Sequence, residues 1–189
     1  MTQKAVFTRE MIVEAAFQLT REVGWQEVRA RTIAQKLGSS TMPLYSSLKS
    51  MEEIEREVRA KAEACMQEYQ RRTYTGETLL NAAVGYIVFA RDERNLFRFL
   101  YVDRPVPPRA AAPGEPTADV LEVGGVVDLA EQSAVAMKDP LVLKSWAFTH
   151  GLASLISSGV LALPDQIIIQ LLSEVGAAIY TFGKGAKNE

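Results

Sequence analysis

The chain contains very little cysteine or histidine, two residue types that often carry chemistry. Its 189 residues include one cysteine, Cys65, and one histidine, His150. A single cysteine excludes an internal disulfide and a cysteine-cluster zinc site, and a single histidine excludes a metal site built from several imidazoles. No Ser–His pair has an orienting acid nearby, and no glycine-rich phosphate loop or paired acidic motif is present. We therefore expect no catalytic residues, no metal and no cofactor.

Long apolar runs are also missing from the sequence. No uninterrupted apolar stretch approaches the roughly 18 residues that a membrane-spanning helix requires. The first ten residues, MTQKAVFTRE, reach a helix start at once and lack an apolar signal core. The hydrophobic fraction of 48% is ordinary for a globular protein. From these features we expect a cytoplasmic protein without a membrane partner.

The net charge is small, at −2, and is unevenly distributed. Residues 1–75 carry 12 Lys and Arg against 10 Asp and Glu, whereas residues 76–189 carry 9 against 13. A helix-turn-helix protein needs only a local basic face on its DNA-binding part. The charge of the whole chain therefore does not exclude a nucleic-acid partner.

The stretch from Arg31 to Leu48, RTIAQKLGSSTMPLYSSL, has the pattern of two short helices joined by a tight turn. An apolar face precedes Gly38, which stands where a helix end favours positive φ. Ser40 is a suitable N-cap for the second helix, and Pro43 falls in its first turn, where a missing N–H costs little. These features are typical of a helix-turn-helix.

Around this stretch, residues 7–54 resemble the DNA-binding domain of the TetR family of transcriptional regulators. The resemblance rests on the order and spacing of Gly24-Trp25, Ile33-Ala34, Gly38, Ser40 and Leu44-Tyr45. Arg29, Ser47-Leu48 and Met51 depart from the residues that the family usually has there. The resemblance implies an all-α fold, with a three-helix helix-turn-helix DNA-binding domain at residues 1–50. It also implies a helical ligand-binding and dimerisation domain at residues 51–189.

Given this resemblance, polar side chains around the two short helices become candidates for DNA contact. The candidates for base edges or the groove are Thr41, Met42, Pro43 and Tyr45. The candidates for phosphates are Arg29, Arg31, Lys36, Ser40, Ser46 and Lys49. Without the motif, a solvated surface would be the better interpretation of the basic residues.

Hydrophobic periodicity and turn residues predict helices along almost the whole chain. The N-terminal part is predicted to hold helices at Thr8–Val23, Ala30–Leu37 and Thr41–Ser47. The predicted helices that follow are Met51–Thr73, Glu77–Arg91, Asn95–Val102, Thr117–Met137, Pro140–Leu161 and Pro164–Phe182. The proline-rich segment Asp103–Pro116 predicts a loop.

Aromatic residues from three of these helices would surround one cavity in the TetR pattern. The candidates for a small-molecule pocket are Tyr86, Phe89, Phe97, Tyr101, Met137, Trp146 and His150. On composition alone, core packing explains the aromatic residues and a satisfied core histidine explains His150. Arg91, Arg94 and Arg98 lie near the same corner, so an arginine facing an anionic ligand also stays open.

The last two predicted helices carry wide apolar stripes. The family resemblance implies that they form a four-helix interface with a second copy of the chain, and burial within one subunit is the alternative. The candidates for this homodimer interface are Gly151, Leu155, Ile168, Leu172, Val175 and Ile179.

Two functions remain to be compared. The first is a repressor that a small-molecule effector releases from a palindromic operator in double-stranded DNA. The second is an all-helical small-molecule carrier or enzyme whose helix-turn-helix is vestigial. Salt-dependent binding to mixed DNA fragments would favour the first.

Overall fold

A computed structural model describes residues 7–41, 50–103 and 140–185, with side chains as far as Thr181. Within these ranges the chain is all-α, as the sequence predicts, with seven α-helices, one short 3₁₀ helix and no strand. The α-helices are α1 (Arg9–Val23), α2 (Ala30–Lys36), α3 (Met51–Gln70), α4 (Thr78–Asp92), α5 (Arg94–Tyr101), α6 (Pro140–Ser157) and α7 (Asp165–Gly185). The 3₁₀ helix spans Trp25–Glu27.

Several predicted features lie outside the described residues. They include the second short helix beyond Thr41, the proline-rich loop beyond Asp103 and the helix predicted at 117–137. The candidate site residues among them are Met42, Pro43, Tyr45, Ser46, Lys49 and Met137.

Local capping chemistry sets the bounds of α1 and α2. The Thr8 hydroxyl accepts a hydrogen bond from the backbone N–H of Met11 at 3.3 Å, which satisfies one of the unpaired N–H groups at the start of α1. Gly24 ends α1 with φ 90, and Gly38 follows α2 with φ 65. Both glycines occupy backbone conformations that other residues seldom adopt, so the predicted ends of these helices are confirmed.

Helix α3 connects the N-terminal helices to the rest of the chain. The Ser50 hydroxyl caps it by accepting from the Glu53 N–H at 3.3 Å. Its 20 residues give it a length of about 30 Å at 1.5 Å per residue. Its buried stripe of Ile54, Val58, Ala62, Met66 and Tyr69 faces α1, α4 and α5.

Helix α4 lies at the centre of the fold, where residues 84–90 are all buried and the helix packs against α3, α6 and α7. Gly85 allows α3 to approach it closely. A Cβ added at Gly85 would lie 2.3 Å from the carbonyl oxygen of Tyr69. Helix α4 ends at Asp92 and α5 begins at Arg94, so the polar corner predicted between them is confirmed.

Helices α6 and α7 pack against each other and against α4. Helix α6 ends at Ser157, four residues before the predicted end, and Gly159 follows with φ 80. The two helices join the same continuous core as the N-terminal helices, in which buried residues run from Phe7 to Leu172. Within the described ranges, no helix combines the length and the apolar character needed to cross a membrane.

Candidate nucleic-acid interface and effector site

The described part of the helix-turn-helix presents its predicted phosphate-contacting residues to solvent. Arg29, Arg31, Lys36 and Ser40 are all exposed, as is Thr41, the described candidate for base contact. Beneath these residues, Ile33 is fully buried and Ala34 is almost fully buried, and both pack α2 against the core. The exposed polar residues therefore sit on a helix whose other face is fixed.

Three of these candidates share one surface. Arg31, Ser40 and Thr41 line a single depression of about 370 Å³ beside the turn. Gln35 lines it as well, and the sequence analysis did not single this residue out. The amide of Gln35 can both donate and accept hydrogen bonds, as base-reading side chains do.

Lys36 is a described basic candidate that forms an ion pair within the chain. Its ammonium lies 2.8 Å from the Glu22 carboxylate on α1. Surface ion pairs of this kind are worth about 0–1 kcal/mol. The weak ion pair with Glu22 therefore leaves Lys36 able to contact a phosphate.

The predicted pocket residues converge only in part. Five of them form a group that we call the aromatic cluster: Tyr86 on α4, Phe97 and Tyr101 on α5, and Trp146 and His150 on α6. Phe89 lies elsewhere, because its ring packs edge-on against Tyr69 at 5.6 Å in the core between α3 and α4. The placement of Phe89 in this group is therefore wrong.

His150 is the centre of the aromatic cluster. Its ring lies between 5.0 and 6.2 Å from the rings of the other four members. It stacks on Trp146 with an interplanar angle of 7°, one helical turn away on α6. The Tyr86 hydroxyl and His150 Nδ1 are 2.9 Å apart, so the histidine has a hydrogen bond as well as ring contacts.

The surroundings of the cluster disfavour charge of either sign. Burial lowers the pKa of His150, which favours the neutral imidazole. Burial also raises the pKa of Tyr86, and the nearby Tyr101 hydroxyl raises it further. Burial is likewise the largest cause of the raised pKa of Tyr101, with the Glu63 carboxylate second. At neutral pH all three groups are therefore uncharged.

Met66 contacts the aromatic cluster, although no sequence pattern predicts this contact. The Tyr101 hydroxyl donates to the Met66 sulfur at 2.8 Å. Met66 is nearly fully buried on α3, the helix that follows the helix-turn-helix. The cluster thus contacts four helices, α3 to α6.

The opposite side of α5 contacts the N-terminal helices. The Phe99 ring lies 5.0 Å from the ring of Trp25 and 4.5 Å below the Arg59 guanidinium of α3. The Asn95 amide donates to the backbone carbonyl of Arg21 at 3.0 Å. Helix α5 is therefore held by α1, the 3₁₀ helix and α3 on one side and contributes to the aromatic cluster on the other.

A buried carboxylate strengthens this contact between the two halves of the chain. Glu93 is 6% exposed and accepts from the Arg21 guanidinium, with Nε 2.7 Å from Oε2 and a second N–H bonded to Oε1. The Tyr69 hydroxyl donates to the same carboxylate at 3.3 Å. Hydrogen bonding to Glu93 raises the pKa of Arg21, and burial followed by the charge of Glu93 raises the pKa of Tyr69. Arg21 and Glu93 are 72 residues apart, so no local pattern could have revealed this pair.

The residues predicted for a homodimer interface divide into two groups. Gly151 and Leu155 are exposed on α6, and Val175 and Ile179 are half-buried on α7. Ile168 and Leu172 are instead 0% and 7% exposed and belong to the core of the single subunit. The assignment of Ile168 and Leu172 to the interface is corrected accordingly, because these two side chains pack against the chain's own helices.

The described residues contain no group of three or more His, Cys, Asp or Glu side chains that could hold a metal ion. The arginines near the corner between α4 and α5 either form ion pairs or are exposed to solvent. Arg91 pairs with Asp92 and Asp165, Arg98 pairs with Asp103, and Arg94 is exposed.

Comparison with known families bears on the same helices. Residues 79–174 of the 189 match the family described as tetracyclin repressor-like, C-terminal domain. This region includes all five members of the aromatic cluster, three on α4 and α5 and two on α6, and it spans just over half of the chain. The chain belongs to the TetR family of transcriptional regulators. A comparison with curated proteins found no match.

Proposed function

We propose that this regulator is a DNA-binding repressor that acts as a homodimer and leaves a palindromic operator when a small molecule binds the aromatic cluster. One observation carries the proposal. Helix α5 contributes Phe97 and Tyr101 to the cluster and, on its other side, contacts Trp25 through Phe99 and the Arg21 carbonyl through Asn95. A short helix of eight residues thus contacts both the proposed effector site and the DNA-binding part.

This arrangement gives an effector a physical route to the DNA-binding part. A ligand that separates the rings of the cluster displaces α5 or α6, because the rings fill the space between these helices. Displacement of α5 alters the support of Trp25 and Arg21. The ligand releases DNA only to the extent that it binds the displaced state more tightly, and each 1.4 kcal/mol of difference corresponds to about tenfold in operator affinity.

The DNA-binding side of the proposal uses the residues assigned from the sequence. Thr41, Met42, Pro43 and Tyr45 would approach base edges, and Arg29, Arg31, Lys36, Ser40, Ser46 and Lys49 would contact phosphates. Exposure of the described members, with three of them around one depression, supports this assignment.

The homodimer would use the exposed faces of α6 and α7. The interface positions that we retain are Gly151, Leu155, Val175 and Ile179. Exposed Ala147 lies one turn before Gly151 on α6, so small residues would allow a partner helix to approach. Pairing two subunits would place their recognition helices at the spacing of successive major grooves, about 34–36 Å.

The salt dependence of DNA binding tests this proposal. Fluorescence anisotropy with a mixture of random duplexes should show affinity that falls steeply with salt, because phosphate contacts release counterions. Arg31→Ala should lower the slope of log K against log salt by about one unit. Arg71→Ala, at an exposed arginine beyond the end of α3, should leave the slope unchanged. Salt-independent or absent binding would contradict the proposal and would favour the carrier or enzyme.

A further inference from the structure

The aromatic cluster combines large aromatic area with very few polar groups. Its four aromatic rings and one imidazole come from three helices, and each ring lies within 6.2 Å of His150. Trp146 and His150 are both half-buried, so their stacked pair lies at the accessible edge of the group. Tyr86 and Phe97, at 7% and 0% exposure, form its buried floor.

Hydrogen bonding occupies both tyrosine hydroxyls of the cluster, whereas the indole N–H of Trp146 and Nε2 of His150 have no bond to another described residue. The Tyr86 hydroxyl forms a hydrogen bond with Nδ1 of His150, and the Tyr101 hydroxyl donates one to the Met66 sulfur. Among the described residues no hydrogen bond reaches Nε2 of His150. In a neutral imidazole Nε2 either donates or accepts, depending on the tautomer, so it can bond to a hydroxyl in either role.

Among the described residues, the charged side chains that act on the cluster are of opposite sign. Glu63 and Arg59 both act on Tyr101 from α3, but they shift its pKa in opposite directions. Arg59 is further engaged by Glu55 at 3.2 Å and by the Phe99 carbonyl. The arginines at the nearby corner pair with aspartates or are exposed. An ion entering the cluster would lose hydration, and Glu63 and Arg59 together would supply no net counter-charge.

We infer that the effector of this regulator is an uncharged planar aromatic molecule with one hydroxyl group, bound with its ring on the Trp146–His150 face and its hydroxyl on His150 Nε2. This inference rests on the proposed function, because it takes the aromatic cluster to be the effector site. It goes further by excluding carboxylate and ammonium compounds of the same shape. The low pKa of His150 and the high pKa of Tyr86 agree with it, since both show that the surroundings penalise charge.

A matched series of naphthyl compounds tests the inference on the full chain without DNA. Isothermal titration calorimetry at neutral pH would compare 2-naphthol, 2-methylnaphthalene, 2-naphthoate and 2-naphthylmethylammonium. We expect 2-naphthol to bind about fivefold to tenfold more tightly than 2-methylnaphthalene, as one hydrogen bond provides. We expect the two ions to bind at least tenfold more weakly than 2-naphthol. Tightest binding by either ion, or no binding by 2-naphthol, would overturn the inference.

Two variants locate the binding. His150→Phe keeps a ring but removes the hydrogen-bonding nitrogen, so the preference for 2-naphthol over 2-methylnaphthalene should disappear. Tyr180→Phe removes a hydroxyl from a 56% exposed tyrosine on α7 and should leave that preference unchanged. A preference that persists in His150→Phe would refute the role of His150. Because no DNA is present, failure of this test leaves the DNA-binding proposal intact, and failure of the salt test leaves this one intact.

Discussion

Single residues at the centre of this fold have their chemistry set by burial. His150 shows this most clearly, since the rings around it remove water without supplying a carboxylate, and its pKa falls for that reason. Glu93 shows the opposite solution. It is more deeply buried than His150, and Arg21 and Tyr69 bond to its oxygens. A buried ionisable group thus becomes neutral or acquires partners.

The lowered pKa of His150 makes stability depend on pH in a definite direction. In the unfolded chain the imidazole binds a proton near its ordinary value of 6.5, whereas in the folded chain it binds one only at lower pH. Between these values the unfolded state holds more protons, so the free energy of unfolding should fall as pH drops below 6.5. The slope can reach at most about 1.4 kcal/mol per pH unit for one proton.

Because His150 is the only histidine, its NMR ring signal can be followed without assignment. Its midpoint should lie below 6.5. Urea unfolding of wild type and of His150→Asn should differ in pH dependence only in this window. A midpoint at or above 6.5 would contradict the description of the cluster as a site that penalises charge.

At the scale of elements, the close approach of α3 and α4 depends on one glycine. A methyl group on Gly85 would meet the backbone of Tyr69 and Gln70, which cannot rotate away as a side chain would. Gly85→Ala should therefore lower the free energy of unfolding by about 1–3 kcal/mol, although alanine is the better helix former. In α7, Gly176→Ala places the methyl in open space and should be neutral or stabilising. Urea denaturation measures both, and an unaffected Gly85→Ala would show that α3 and α4 are not tightly packed there.

The ion pair between Arg21 of α1, whose side chain is 46% exposed, and buried Glu93 at the α4–α5 corner should be energetically significant. A double-mutant cycle with Arg21→Ala and Glu93→Gln should give a coupling energy of about 1–3 kcal/mol, because the Glu93 end is buried and bonded through two oxygens. The exposed Lys36–Glu22 pair should give less than about 1 kcal/mol in the same measurement. Equal coupling energies for the two pairs would contradict a special role of Glu93 in holding the N-terminal helices.

Sequence patterns predict where the helices begin and end better than they predict which helices pack against each other. Thr8, Gly24 and Gly38 mark helix ends by local chemistry, and the structure confirms those ends. The assignment of Ile168 and Leu172 to a homodimer interface is wrong, because periodicity predicts a packing surface but cannot tell whether the covering surface belongs to the same chain. The α5 contacts to Arg21 and Trp25 join distant residues and leave no periodic trace. The convergence of most of the aromatic cluster was anticipated only through the family resemblance.

For the molecule as a whole, the proposed repressor requires two subunits. Gly151 is exposed and has open space around it, so Gly151→Arg should leave the subunit folded while obstructing a partner helix. Sedimentation should show a monomer with unchanged helical circular dichroism. Leu79→Arg, at an 87% exposed residue of α4, should remain dimeric. Leu172→Glu should instead reduce helicity, because Leu172 lies in the subunit core. A dimeric Gly151→Arg would place the interface elsewhere.

The most direct test of the central claim is selection of bound DNA from a random pool by the full chain. A dimer with one helix-turn-helix per subunit should enrich an inverted repeat whose half-sites are centred about one helical turn apart. Gly151→Arg should lose affinity for that repeat far more than for a single half-site. The proposed homodimeric repressor should enrich an inverted repeat with this dependence. A pool that shows no enriched sequence, or an enriched site without two-fold symmetry, would contradict it.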